Sequence, residues 1–286
     1  MGPKAFSYIH YLKNFFLYRI VNFFLPTLNL QKYKKRWEID GIVNEYASNS
    51  LLFKSEETIL KILKPTLSGM KMLDIGVGAG RTTIHFAPLV QKYAGIDYSA
   101  KMITACKNKF KEREEWTFNI ADAKNLDSFV DDEFDFVLFS YNGLDCMSGT
   151  YQDRQEALKE IRRVLKQDGV FCFSAHNLNY LWRFCNFVSL DFHEIRRMLV
   201  MRLCNWKSWK KLRKKNKTFD SMNLNILDGS FIVPIFIVSP KMQLTMLREL
   251  DFKDIQVFDL EGKPVELSTS ERDDTNYSFY YLSKPE

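Results

Sequence analysis

Short apolar runs bounded by turn-forming residues recur through the middle of the chain, and between them apolar side chains return at three- and four-residue steps. The runs at 71–75, 93–96, 116–120, 134–139 and 170–174 predict buried strands, and the periodic stretches between them predict helices. Strand and helix alternating at this spacing build βαβ units, so the sequence predicts a parallel sheet covered by helices on both faces. Ser99, heading a periodic run to Phe110, and Ser239, ahead of Pro240, are expected N-caps.

Outside 65–177 the pattern changes. Residues 6–25 read as an aromatic-rich helix stopped by Pro26, residues 28–64 as a mostly helical approach, and Lys64 to Gly69 as a linker into the first strand. After the fifth strand, residues 178–230 read as a helical insertion. Between Glu194 and Leu212 it carries Ile195, Met198, Leu199, Trp206, Trp209 and Leu212 on one face, with basic residues mostly opposite and Arg202 inside the apolar face. Residues 231–286 close the chain with an extended segment (231–238), a helix (242–250) and two strands (253–260 and 277–283). The expected division is therefore a 1–64 extension, a 65–177 core, a 178–230 insertion acting as cap or docking arm, and a 231–286 completion of the core.

Charge separates these parts further. The net charge of +6 conceals two acid-free basic segments: residues 1–37 hold Lys4, Lys13, Arg19, Lys32, Lys34, Lys35 and Arg36, and residues 195–217 are richer still. The remainder is acidic, so the two segments are candidate contacts for phosphate, on an anionic membrane or on nucleic acid. Trp and Phe at helical spacing suit a membrane interface at least as well as base stacking, so nucleic acid ranks second. The apolar stretch 15–25 is interrupted by Arg19 and Asn22, which argues against a signal peptide or a spanning helix. Five cysteines without a C-x-x-C pair argue against a disulfide framework or zinc site, and a reducing cytoplasm is the expected compartment.

The chemistry concentrates at the ends of the predicted strands. Asp74 closes the first, followed by Gly76-Val77-Gly78-Ala79-Gly80, and Asp97 closes the second. The glycines let main chain approach a ligand, and a carboxylate at Asp97 can accept both hydroxyls of a ribose. An adenosine-containing cofactor is implied. The third glycine stands one position early for the dinucleotide pattern G-x-G-x-x-G.

The pattern D-x-G-x-G-x-G followed by G-I-D-Y-S resembles the class I S-adenosylmethionine (SAM)-dependent methyltransferases. Three further segments follow in that family's order: Ala121-Asp122-Ala123 resembles its adenine-contacting turn, 134–143 its fourth strand and active-site turn, and 160–174 its helix, turn and fifth strand. The resemblance implies a Rossmann-like α/β fold with a seven-stranded sheet, and SAM as cofactor. It implies cofactor contacts from Asp74, Gly76, Gly78, Gly80, Asp97, Tyr98, Asp122, Ala123 and Ser140, with Tyr46 open between a cofactor cover and a core residue. Ser140-Tyr141-Asn142-Gly143 stands where nucleobase amino-methyltransferases carry N-P-P-Y, which lowers the expectation of base methylation.

Asp145 and His176 fall just past the fourth and fifth strands, where open parallel sheets meet their ligands. A histidine there suits a general base for a hydroxyl, or it caps the strand end. For Asp145 a structural role is favoured over contact with the acceptor. The function expected is methyl transfer to a small-molecule or lipid-linked glycan acceptor at oxygen. An RNA methyltransferase docking through the basic insertion and a non-catalytic SAM-binding module are the alternatives.

Overall fold

A computed structural model of the chain describes residues 33–147, 149–180, 205, 220–228, 231–267 and 275–286. The expected helix at 6–25 and the basic stretch 195–217 lie outside the described residues.

The strands are β1 (Lys71–Ile75), β2 (Lys92–Asp97), β3 (Trp116–Ile120), β4 (Phe134–Phe139), β5 (Leu165–His176), β6 (Ser221–Asp228), β7 (Phe231–Val238), β8 (Phe252–Phe258) and β9 (Ser278–Pro285). Seven of them form one sheet in the order β3-β2-β1-β4-β5-β9-β8. β1 to β5 pair in parallel, whereas β9 runs antiparallel to both β5 and β8. This is the Rossmann-like α/β sheet that the sequence predicts. Parallel strands covered on both sides must be apolar on both faces. Along β5, Phe171, Phe173 and Ala175 enter one core layer while Val170 and Cys172 enter the other.

The helices are α1 (Asp40–Ser48), α2 (Lys54–Leu67), α3 (Thr83–Phe86), α4 (Ala100–Lys109), α5 (Gly143–Met147), α6 (Tyr151–Val164) and α7 (Pro240–Arg248). Four-residue steps put Ser55, Ile59, Leu63 and Leu67 of α2 on one buried stripe. Ser99 caps α4 by accepting from Met102 N (3.2 Å) and Ser239 caps α7 by accepting from Met242 N (3.1 Å), as expected. No helix among the described residues is long and apolar enough to cross a membrane.

Two segments differ from expectation. The 64–69 linker is mostly the last turn of α2, which runs through Pro65 because full burial of Leu67 outweighs the lost main-chain bond. The end of the 178–230 insertion is a strand: β6 pairs with β7 from Ser221↔Val238 to Asp228↔Phe231. Met222, Leu224 and Ile226 alternate with Ser221, Asn223 and Asn225, a two-residue period that strands require and helices do not. Phe236 and Val238 of this hairpin join the core layer formed by α6, α7 and β5.

Candidate active site

The parallel strands bring Ile75, Asp97, Ile120, Phe139 and His176 to one edge of the sheet. Because β9 is antiparallel, it begins at that edge, with Ser278 opposite His176. The loop leaving β1 holds three glycines with φ of +65° (Gly76), +56° (Gly78) and +81° (Gly80). They are not equivalent. A Cβ at Gly80 would stand 2.4 Å from Phe110 Cε2, so that glycine is required by packing of α4. A Cβ at Gly78 would meet nothing closer than Tyr46 Cδ1 at 3.7 Å. What Gly78 supplies is left-handed backbone and an open surface on which another molecule can rest.

Two acids support this loop in different ways. Asp74 is buried, and its Oδ2 accepts from Thr82 Oγ1 (2.6 Å) and Tyr93 OH (2.8 Å), tying β1 to the residues that follow the glycines. Asp97 accepts from Gly78 N at Oδ2 (3.0 Å) and from Ser99 N at Oδ1 (2.9 Å). Burial pushes both carboxyls up to about 6, against the main-chain and hydroxyl donors that favour the charged form. An adenosine ribose fits here: its hydroxyls would donate to Asp97, and its approach needs the bare face of Gly78.

Above the glycines lies an aromatic wall. Tyr46 of α1 meets Trp37 edge-on (ring centroids 5.1 Å apart) and Tyr141 at 6.2 Å, which places it over Gly78 rather than in the central core. Tyr141 in turn stacks on Phe53 (5.5 Å, planes 7° apart). The Arg81 guanidinium lies 4.8 Å from the Phe53 ring and 5.7 Å from that of Tyr141. It makes a bidentate pair with buried Glu56, Nη1 to Oε2 at 2.5 Å and Nη2 to Oε1 at 2.6 Å. Ser140 Oγ and Tyr280 OH also donate to Glu56 Oε1, and Phe53 N donates to Oε2 (2.8 Å). Ser140, expected as a cofactor contact, gives its hydroxyl proton to Glu56.

A second buried network joins the two expected catalytic residues. Asp145 is wholly buried in α5, where its Oδ2 accepts from His176 N (2.6 Å) and meets His176 Nδ1 (2.7 Å). Its Oδ1 accepts from Arg154 Nη1 (2.5 Å), and Arg154, equally buried in α6, donates from Nη2 to Gln243 Oε1 of α7. Burial opposes the charge on Asp145, but Arg154 and the His176 contacts outweigh it and hold the carboxyl below its usual range. Asp145 is wholly buried and engaged by Arg154 and His176, in keeping with the structural role that the sequence favoured over contact with an acceptor. The far side of the imidazole, Nε2, meets Asn142 Nδ2 at 3.3 Å.

The remaining expected contacts lie along the same edge. Tyr98 follows Asp97 and is 40% exposed. Asp122 lies exposed after β3, accepting from Lys124 N (3.0 Å), and Ala123 is buried beside it. Glu56, Arg81, Asn142, Arg154, Gln243 and Tyr280 are the site residues the sequence did not single out. For Arg154 a signal existed, since Ala157, Leu158 and Ile161 follow at helical spacing and put an arginine on a buried face.

Comparison with known proteins agrees with this geometry. Residues 73–173 match the family model described as "Methyltransferase domain". A Bacillus subtilis protein named "Uncharacterized methyltransferase YcgJ" is 35% identical over 108 residues, covering 37% of this chain and 40% of that protein. The chain spans about two fifths of the length of this relative and, at 42%, of a second methyltransferase-named relative from the same organism. Among solved structures, the PH0226 protein of Pyrococcus horikoshii superposes with a TM-score of 0.51 at 21% identity, covering 94% of this chain and 98% of that one. An S-adenosylmethionine-dependent methyltransferase of Clostridium acetobutylicum gives 0.51 at 14% identity, over 81% of this chain and 91% of that one. Such identities show the fold. Together with the family match over residues 73–173, they show a methyltransferase-like domain within the chain.

Proposed function

We propose that this chain is a class I SAM-dependent methyltransferase that transfers a methyl group from SAM to a hydroxyl of a small-molecule or lipid-linked glycan acceptor, with His176 as the general base. The observation that carries the reading is the Asp145–His176 pair, 2.7 Å apart at the acceptor edge of β4 and β5. SAM supplies an already activated methyl group when bound, so the protein's work is to position the acceptor and remove its proton. A hydroxyl needs that removal, whereas an amine need only arrive unprotonated.

Each step on the protein side falls to a residue already placed. Asp97 and the bare face of Gly78 would hold the ribose, with Tyr46 covering the loop. Asp145, kept charged by Arg154, accepts from His176 Nδ1–H and leaves Nε2 as the nitrogen that takes the acceptor's proton. SAM would supply the methyl group by cleavage of its bond to the sulfonium sulfur, and the proton lost from the acceptor oxygen would pass to Nε2, where the adjacent charge of Asp145 would stabilise the imidazolium.

Incubating the protein with methyl-labelled SAM and fractionated cell extract tests the reading. Label in a base-stable ether of a glycan, lipid or small molecule supports it. Label confined to RNA would replace it with the docking-arm alternative, and SAM binding with no labelled product in any fraction would favour a non-catalytic module.

A further inference from the structure

We infer that Asn142 holds the His176 tautomer that Asp145 selects and guards its Nε2, so that an acceptor hydroxyl reaches the base only by taking the place of the Asn142 amide. The inference rests on the reading of His176 as base, and it begins from an unusual turn. Ser140-Tyr141-Asn142-Gly143 closes with Gly143 N donating to Ser140 O (3.2 Å), and both central residues have φ of +56°. Consecutive left-handed residues are the geometry of a primed turn, and its two central positions here are Tyr141 and Asn142, with Gly143 closing it. Gly143 is required in its own right, because a Cβ there would stand 2.2 Å from Phe139 Cε2.

The turn splits two adjacent side chains. Tyr141 goes outward, 49% exposed and stacked on Phe53, while Asn142 goes inward to the imidazole. Three contacts hold Asn142: its N donates to Ser174 Oγ (2.7 Å), its Oδ1 accepts from Ser278 Oγ (2.7 Å), and its Nδ2 lies 3.3 Å from His176 Nε2. Charged Asp145 draws the ring proton to Nδ1 and leaves Nε2 an acceptor, so the group facing the ring is the amide NH2, which only donates. Oδ1 then faces Ser278 Oγ, whose one proton lies between Oδ1 and Ala175 O (2.9 Å). The two bonds on opposite sides of the ring define one tautomer, the one with its lone pair on the acceptor side.

The same bond has a consequence for access. An unprotonated Nε2 has a single in-plane lone pair, and Asn142 holds it. His176 is only 6% exposed, so a hydroxyl to be deprotonated cannot approach beside the amide and must displace it. Rotation of the Asn142 side chain suffices, because the left-handed main chain is held separately by Ser174 and by the turn. Among the described residues, the other titratable groups around the ring are Asp145 and Tyr277, whose ring lies edge-on at 5.0 Å.

Two measurements that need no acceptor test this. In histidine-15N-labelled protein, with the His176 signals assigned by His176→Gln, long-range proton–nitrogen spectra at neutral pH should show the Nδ1–H tautomer. Asn142→Gly keeps the turn and unmasks Nε2, so carbethoxylation of His176 by diethyl pyrocarbonate should become several-fold faster than in the unsubstituted protein. An Nε2–H tautomer, or an unchanged carbethoxylation rate in Asn142→Gly, overturns the inference. If both measurements come out as expected while His176→Gln transfers methyl at full rate, the guard and tautomer stand and the assignment of His176 as base fails.

Discussion

A single oxygen of Asp145, Oδ2, meets His176 at two points, the main-chain N at 2.6 Å and the ring Nδ1 at 2.7 Å. One carboxylate thereby fixes both where β5 ends and how its last side chain is turned. The other oxygen is held by Arg154 from α6, and Arg154 by Gln243 from α7. The orientation of one imidazole is thus secured by elements spread over a hundred residues of chain.

That arrangement separates two kinds of variant. His176→Ala should lower turnover by roughly 10²- to 10⁴-fold with SAM affinity kept, because the ring is absent from the glycine loop. Asp145→Asn should lower stability itself by about 3–5 kcal/mol, since Arg154 would remain in the core with its charge unpaired. The Asp145 pKa lies below its usual value, so its stabilisation is present at neutral pH and is lost as pH falls through the lowered folded-state value. Denaturant midpoints that coincide for Asp145→Asn and the unsubstituted protein would contradict the buried pair.

If Asp97 holds the ribose as proposed, cofactor binding is proton-linked. Its carboxyl is pushed up to about 6 by burial, while ribose hydroxyls donate best to the charged form. Below pH 6 the proton must leave before SAM binds, so affinity should fall about tenfold for each unit of pH and level off above neutrality. Asp97→Asn should flatten the profile, and Asp97→Ala should weaken binding by about 1.5–3 kcal/mol, one to two orders of magnitude. Calorimetric titration between pH 5 and pH 8 measures both. A pH dependence that survives in Asp97→Asn would move the linkage to another group.

The glycines offer a paired comparison. Gly80→Ala would drive a Cβ to 2.4 Å from Phe110 Cε2 at a φ of +81°, so overpacking of about 1–3 kcal/mol adds to about 1–2 kcal/mol for left-handed backbone. Gly78→Ala has room, with Tyr46 Cδ1 at 3.7 Å, and should cost only the backbone part. SAM affinity should nevertheless suffer at Gly78, where the new methyl group stands on the ligand's side. Chemical denaturation and calorimetry on the two variants should therefore rank them in opposite orders.

Much of this was legible in the sequence because its causes are local. The strands, the glycine turn, Asp97 and both serine caps depend on residues a few positions apart, and the family resemblance rested on those same segments. Glu56 was not legible. Its partners Arg81, Ser140 and Tyr280 are 25, 84 and 224 positions away, and nothing in the S-E-E-T turn of α2 distinguishes the buried Glu56 from the exposed Glu57. Asn142 was hidden differently. The turn at 140–143 could be read from the sequence, but only the position of β5 makes His176 the group beneath it. In β6 the period of two was present, and basic residues just upstream drew the reading toward helix.

The basic segments lead to the last test, which concerns where the acceptor is presented. If residues 6–25 and 195–217 dock the acidic body on an anionic membrane, each Lys or Arg near the surface contributes about 1 kcal/mol. Engagement of only some of the basic residues would then hold the protein there, with Trp206, Trp209 and the N-terminal phenylalanines entering the headgroup boundary. RNA offers the same phosphate charge, and both interactions weaken as salt rises, so liposomes and RNA must be compared at one ionic strength. Flotation should show binding that requires anionic lipid and falls when Trp206 and Trp209 become Ala, because removing indole takes away insertion while leaving charge intact. A protein that ignores such liposomes, binds RNA and is indifferent to the tryptophan changes would transfer the basic segments to the nucleic-acid reading.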